Sequence, residues 1–225
     1  MKILHVDCSP RPESHSRRLS AAIVGRLLSA HPDASVIRRD LGQEPIPHAA
    51  SDYAATLSSA AALAAGFSGS ATRLSEELIS EVEIAEFLVI GTPMNNFTVP
   101  SVLKAWLDQI VRAGRTFSST PTGKIGLLQD RPVFFAIASG GVYTGKRANQ
   151  PDFLTPYLTA ALNCIGLKTL YFAPVQATAV LNADEAEAVR QALIPVIDAA
   201  IASSRAAVAE NGKVTPDDAY AASSV

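Results

Sequence analysis

The chain reads as an α/β protein: one doubly wound sheet of five parallel strands in the order 2-1-3-4-5, with helices on both faces. Three observations predict it. Short runs rich in β-formers recur five times, and each leads through a loop into apolar residues at helical spacing. The run Phe87-Leu88-Val89-Ile90 is too short for a globular helix and has no polar interruption, as expected of a central strand buried on both faces. No internal repeat and no linker between two cores is visible, so a single domain over 1–210 is expected, followed by a flexible tail over 211–225.

Composition narrows the function classes. Of 225 residues, 48% are apolar and 18% charged, which describes a soluble globular chain with ample core. A net charge of −2 and a pI near 6.1 argue against a nucleic-acid surface. No stretch reaches the roughly 18 apolar residues of a membrane helix, and the opening MKILHVDCS lacks a secretory pattern, so a cytoplasmic location is expected. Cys8 and Cys164 form no metal pattern and are too few for a disulfide scaffold. No metal is expected.

In chain order, Lys2 to Asp7 is the first strand, and Arg17 to Ala30 the first helix, with Leu19, Ile23, Leu27 and Leu28 on one side. Between them lies a stretch rich in hydroxyls and prolines. Ala34 to Asp40 is the second strand. The Ala- and Ser-rich stretch 49–72 is expected to hold a helix and a mobile segment, and Thr72 to Ala85 is an amphipathic helix with Leu74, Leu78, Ile79 and Val82 inward. The third strand follows at Phe87 and should stop before Pro93, which cannot extend a ladder. Ser101 to Ala113 is a helix whose apolar residues cover more than one stripe, so its Trp106 face should meet a second surface besides the sheet. Arg115 to Gly126 reads as a polar loop, Pro132 to Ala138 as the fourth strand, 150 to 165 as a helix stopped by Gly166, Leu167 to Ala173 as the fifth strand and Asp184 to Val208 as a long helix.

Three loops thus stand at carboxyl ends of strands one, three and four, where open α/β sheets bind ligands. The first carries Ser9, Ser14 and Ser16 ahead of a helix, a phosphate-site layout in which free amides, a positive dipole end and hydroxyls face an anion. Ordinary capping by Ser14 or Ser16 is the plainer alternative. The stretch has no glycine, which disfavours a Walker or dinucleotide loop. A cysteine phosphatase would need an Arg six residues after Cys8, where Ser14 stands. The second loop offers Pro93, Met94, Asn95, Asn96 and Phe97, and the third Ser139, Gly140, Gly141 and then Tyr143. Amides and aromatics suit a planar heteroaromatic ring, and with a phosphate site beside them FMN is the simplest ligand.

These residues also resemble a family. Ser9, Ser14 and Ser16 after a first strand, the PMxNF motif of Pro93, Met94, Asn96 and Phe97 with its LKAWLDQIVRAGRTF continuation, Ser139-Gly140-Gly141 and the LTPYL of 154–158 are similar to the FMN-dependent NADH:quinone oxidoreductases, or azoreductases, of the flavodoxin-like superfamily. The resemblance covers about residues 1–200. It implies that Ser9, Ser14 and Ser16, with His15 between them, hold the FMN phosphate, and that Pro93 to Phe97 and Ser139 to Gly141 hold the ring. It places Tyr143 and Phe153 on the substrate side and implies a homodimer with active sites at the subunit interface. NADH or NADPH would give hydride to flavin N5, and a quinone or azo compound would then take two electrons, the protein supplying orientation rather than a catalytic acid or base.

The chain departs from the family pattern twice. Position 95, often Tyr or Trp, is Asn95, and the third motif is one residue shorter than the common S-R-G-G form. Both changes touch the substrate side and leave the acceptor and the choice of nicotinamide open. The alternative from another class is a flavodoxin-type electron carrier with protein partners, although such carriers are shorter and strongly acidic. A flavin-free regulatory relative is the third reading. His31 and His48 read as surface or loop residues, as His15 would without a ligand, and His5 as a satisfied core histidine.

Overall fold

The structure is a computed structural model, and it describes residues 1–59 and 70–211. Among the described residues seven strands and six α-helices follow in chain order: β1 (Lys2–Asp7), α1 (His15–Ala30), β2 (Ser35–Asp40), α2 (Ser51–Leu57), α3 (Arg73–Ile84), β3 (Phe87–Pro93), α4 (Ser101–Ile110), β4 (Phe117–Thr120), β5 (Gly123–Gly126), β6 (Val133–Ala138), α5 (Thr155–Ile165), β7 (Leu170–Val175) and α6 (Ala183–Asn211). Five of the strands form a parallel sheet in the order β2-β1-β3-β6-β7.

Alternation along the strands builds two cores. Leu4, Val6, Leu88, Ile90, Val133, Phe135 and Ile137 face the layer of α3, α4 and α5, where Leu78, Val82, Leu103, Trp106, Leu158 and Leu162 meet them. Ile3, Phe87, Val89, Phe134 and Ala136 face the opposite layer, closed by Leu19, Ile23 and Leu27 of α1 and by Ile197 and Ile201 of α6. Burial on both faces explains why β3 carries no polar alternation.

Four expectations need correction. The strand order written for five strands omits a hairpin: 115–126, expected as a polar loop, contains antiparallel β4 and β5, paired from Phe117↔Gly126 to Thr120↔Gly123 and standing apart from the sheet. β3 does not stop before Pro93 but takes it in as its last residue. Met94 N–H reaches the Ala138 carbonyl, so even-numbered residues here bond towards β6, while Pro93 faces the side where β1 has already ended opposite Gly91. Its missing N–H therefore breaks no ladder. The helix expected from 150 begins at Thr155, because Asp152 Oδ1 accepts from the Leu154 and Thr155 amides, each at 2.9 Å, and fixes the first turn there. The helix expected over 101–113 ends at Ile110, and Arg112 N–H then turns to the Thr116 hydroxyl at 2.9 Å.

The broad apolar face of α4 does meet a second surface, and it lies within this chain. Trp106 is fully buried, Ser75 of α3 donates to the Gln109 carbonyl at 2.6 Å, and Tyr53 of α2 to the Asp108 carbonyl at 3.2 Å. The helix expected within 49–72 is α2, whereas 60–69 and the tail 212–225 lie outside the described residues.

Candidate functional site

Sheet register sets the site. Asp7 of β1 lies level with Gly91 of β3, and Pro93 level with Ala138 of β6, so the carboxyl ends of these three adjacent strands open on one edge. The loops 8–16, 94–97 and 139–143 all leave from that edge.

In loop one, Ser14 is the N-cap of α1: its hydroxyl accepts from Arg17 N–H at 3.3 Å and lies 2.8 Å from the Ser16 hydroxyl. The plain capping role is therefore real, and it leaves one hydroxyl hydrogen of the Ser14–Ser16 pair at the head of a 16-residue helix with no acidic residue in its first turn. Ser9 is buried with its carbonyl drawn to Arg17, whose Nε and Nη2 donate to it at 2.9 and 2.6 Å. Arg17 in turn is paired with Asp40, Nη1 donating to Oδ2 at 2.7 Å, and with Asp7 at 3.4 Å. Burial opposes ionisation of Asp7, but hydrogen bonds from His5 and Ser20 and the charge of Arg17 outweigh it and hold the carboxyl below its ordinary range. His5, with Nε2 3.0 Å from the Ser20 hydroxyl, is the satisfied core histidine expected.

His15, the first residue of α1, faces a residue the sequence reading missed. Arg190 of α6, 6% exposed, places Nη1 2.8 Å from His15 Nδ1. A guanidinium only donates, so Nδ1 accepts and the imidazole proton sits on Nε2. Burial first, then the charges of Arg190, Arg18 and Arg11, hold the His15 pKa below its ordinary value.

Loop two is a tight turn. Asn95 and Thr98 exchange both backbone bonds, at 2.9 and 3.0 Å, across Asn96 (φ 47°) and Phe97 (φ 69°), a left-handed pair that an Asn tolerates and a Phe resists. Asn95, Asn96 and Phe97 are exposed, and Pro93 and Met94 half-buried beneath them. Phe153, 61% exposed, is tied to the turn through its N–H to the Phe97 carbonyl at 3.0 Å.

Loops two and three are joined by Gln150, also missed in the sequence. Its Nε2 donates to the Ser139 hydroxyl at 2.9 Å and stands 3.2 Å from Met94 Sδ. Gly141 makes room for it, since a Cβ there would strike Gln150 Oε1. Gly140 is exposed and Ser139 buried. Tyr143, expected on the substrate side, is instead 6% exposed and packed in the core. Gln176 Oε1 accepts from the Tyr143 and Thr144 amides at 2.8 and 2.9 Å, turning the chain so that the ring points inward. Its hydroxyl is buried without a hydrogen-bond partner, and burial raises its pKa.

The donor set fits a phosphorylated flavin. Three serines and a helix N-terminus beside His15 and Arg190 match a phosphate, and an exposed turn with two amides and an aromatic ring matches a flat heterocycle. Thiolate chemistry does not fit: Cys8 is fully buried, and burial followed by the Asp7 charge pushes its thiol far up. Among the described residues no three His, Cys, Asp or Glu side chains gather as metal ligands, and no helix is long and apolar enough to cross a membrane.

A family model for the flavodoxin-like fold matches residues 1–199. An FMN-dependent NADH:quinone oxidoreductase 4 of Pseudomonas fluorescens is 45% identical over 175 residues, which cover 77% of this chain and 83% of that protein. An FMN-dependent NADH:quinone oxidoreductase of Ralstonia nicotianae is 38% identical over 210 residues, covering 90% and 100%. Among solved structures, the azoreductase from Bacillus anthracis is similar with a TM-score of 0.75 at 26% identity, over 88% of this chain and 97% of that one. The chain belongs to the flavodoxin-like fold family, in the group of relatives named FMN-dependent NADH:quinone oxidoreductases.

Proposed function

We propose that this protein is an FMN-dependent NAD(P)H:quinone oxidoreductase that also reduces azo compounds, acting as a cytoplasmic homodimer built from one flavodoxin-like domain over residues 1–210. The observation that carries the reading is the convergence of a serine-lined helix N-terminus and two amide-bearing loops on one sheet edge, in a chain whose relatives bear that name.

Ser9, Ser14, His15 and Ser16 would hold the phosphate, and Pro93, Met94, Asn95, Asn96, Phe97, Ser139, Gly140 and Gly141 the ring. The bound flavin supplies two-electron chemistry, taking hydride from a nicotinamide and returning the electrons to an acceptor. The chain's residues have four tasks. The backbone amides of Asn96 and Phe97 in the turn and of Gly140 and Gly141 in the third loop would offer N–H donors to negative charge on the ring. Phe97, exposed beside Phe153, gives a flat apolar rim against which an aromatic acceptor can stack. Gln150 keeps loops two and three at a fixed separation. The α1 N-terminus, with Arg190 behind His15, fixes the anionic end so that the ring cannot slide. Two exposed phenylalanines on one edge also favour a second copy covering that rim.

Anaerobic mixing of FMN-loaded protein with NADH, and separately NADPH, followed by benzoquinone, tests the reading. Rapid bleaching of the flavin and rapid recovery are expected. Flavin that binds but is not bleached would instead favour the electron carrier.

A further inference from the structure

The phosphate loop is held from behind by a buried charge cluster that no step of the reaction uses. Arg17 makes contact with both ends of the loop: its backbone N–H donates to Ser14 Oγ at 3.3 Å, while its guanidinium grips the Ser9 carbonyl with Nε and Nη2. Arg17 is 8% exposed, and its guanidinium is braced by two carboxylates from two strand ends, Asp7 on β1 and Asp40 on β2. Gly42, just past β2, closes against the same carbonyl, and its N–H donates to the Asp7 carbonyl at 3.1 Å. A Cβ at Gly42 would strike the Ser9 carbonyl and crowd Arg17 Nη2.

An anion site must present donors and turn away lone pairs. A backbone carbonyl aimed into the phosphate position would repel a phosphate about as strongly as a well-placed N–H attracts it. Left to itself a loop of Ser9, Pro10, Arg11 and Pro12 has no reason to draw the Ser9 carbonyl inward. Here two N–H donors of one guanidinium take up that oxygen, and the guanidinium is fixed by a buried carboxylate, Asp7, and a partly exposed one, Asp40.

We propose that Arg17, Asp40 and Gly42 form a clamp that draws the Ser9 carbonyl into the protein and so sets loop one for a phosphate, making Arg17 a positioning residue for the phosphate rather than a ligand of it. The inference rests on the FMN reading above and goes beyond it in naming what makes the loop selective for a phosphorylated flavin.

The test is the ratio of affinities for FMN and riboflavin, which differ only in the phosphate, read by quenching of flavin fluorescence on titration with apoprotein. For wild-type protein a clear preference for FMN is expected. For Arg17→Lys, which keeps the charge but cannot span Ser9 and both carboxylates, and for Gly42→Ala, the FMN affinity should fall about tenfold or more while the riboflavin affinity changes less than about twofold. A merely structural role would weaken both flavins together, and that result overturns the clamp. So does a wild-type preference for FMN that survives in both variants. If Arg17→Lys yields no folded protein, Asp40→Asn decides, being isosteric and at a partly exposed position. A wild-type protein with no preference for FMN, or no affinity for either flavin, overturns the FMN reading and the clamp with it.

Discussion

Arg190 Nη1 lies 2.8 Å from His15 Nδ1, joining residues 175 positions apart at the head of α1. The pair gives a pH prediction. His15 is harder to protonate folded than unfolded, since burial and three arginines oppose the imidazolium. Its contribution to stability is therefore complete above the ordinary imidazole value of 6.5 and is lost as pH falls through the lower folded-state value. Asp7 and Asp40, both held below the usual carboxylate range, contribute a separate loss only further into acid. Melting temperatures measured from about pH 7 down to about pH 5 should fall in the wild type and stay flatter in His15→Gln. Parallel curves for the two proteins would show that folding does not hold the His15 pKa below its ordinary value.

Phe97 should be a residue kept for function against its backbone preference. A left-handed conformation costs an ordinary L-residue about 1–2 kcal/mol, and the Phe97 ring, 44% exposed, recovers little of it by burial. Phe97→Gly is therefore expected to be more stable than Phe97→Ala by about 1 kcal/mol, because only the former accepts φ 69° freely. Both should show a raised KM for benzoquinone, having lost the aromatic rim. Denaturant titration of the two variants is the check, and equal stability would mean that the turn is not strained in solution.

Gln150 couples the two loops that flank the ring position. Gln150→Leu removes the donor to Ser139 Oγ and leaves that hydroxyl buried, for a cost of about 1–2 kcal/mol. Gly141→Ala should displace the same side chain by occupying its space. Each substitution is expected to weaken FMN several-fold, and the double variant no more than the worse single one, since both remove one link. Additive losses in flavin titrations would separate Gly141 from Gln150 and sink the coupling.

Elements that bury alternate or periodic apolar residues could be read from the chain, and so could the loops between them. β1 is found over Lys2–Asp7 as expected, and α6 runs through Pro195 as part of one long helix. The hairpin was hidden because FSST and GKIG are four residues each, largely polar and half exposed, so they carry no period of two. Serine and amide positions of the site were legible as local motifs. What organises them was not: Arg17 grips a backbone carbonyl, Gln150 and Gln176 act through amides that carry no pattern, and Arg190 comes from a distant helix. Tyr143 was misplaced for the same reason, its inward turn being set by a side chain 33 positions later.

Cys8 separates two chemistries at the same loop. The residue sits where a phosphatase would place its nucleophile, immediately after β1 and ahead of α1. It is fully buried, and burial together with the nearby Asp7 carboxylate keeps the thiol protonated, so the thiolate needed for nucleophilic attack is not formed near neutral pH. A serine there is isosteric, and the Thr92 hydroxyl, which donates to the Pro93 carbonyl at 3.0 Å, keeps its lone pairs for a neighbouring donor. Cys8→Ser should therefore cost about 1 kcal/mol of stability and leave NADH-dependent quinone reduction within about twofold of wild type. Iodoacetamide should label the half-buried Cys164 before Cys8 in the folded protein, with activity retained. Loss of turnover in a Cys8→Ser protein that still folds and binds FMN would mean that the thiol takes part in the reaction, and the flavin could not then be its sole reactive centre.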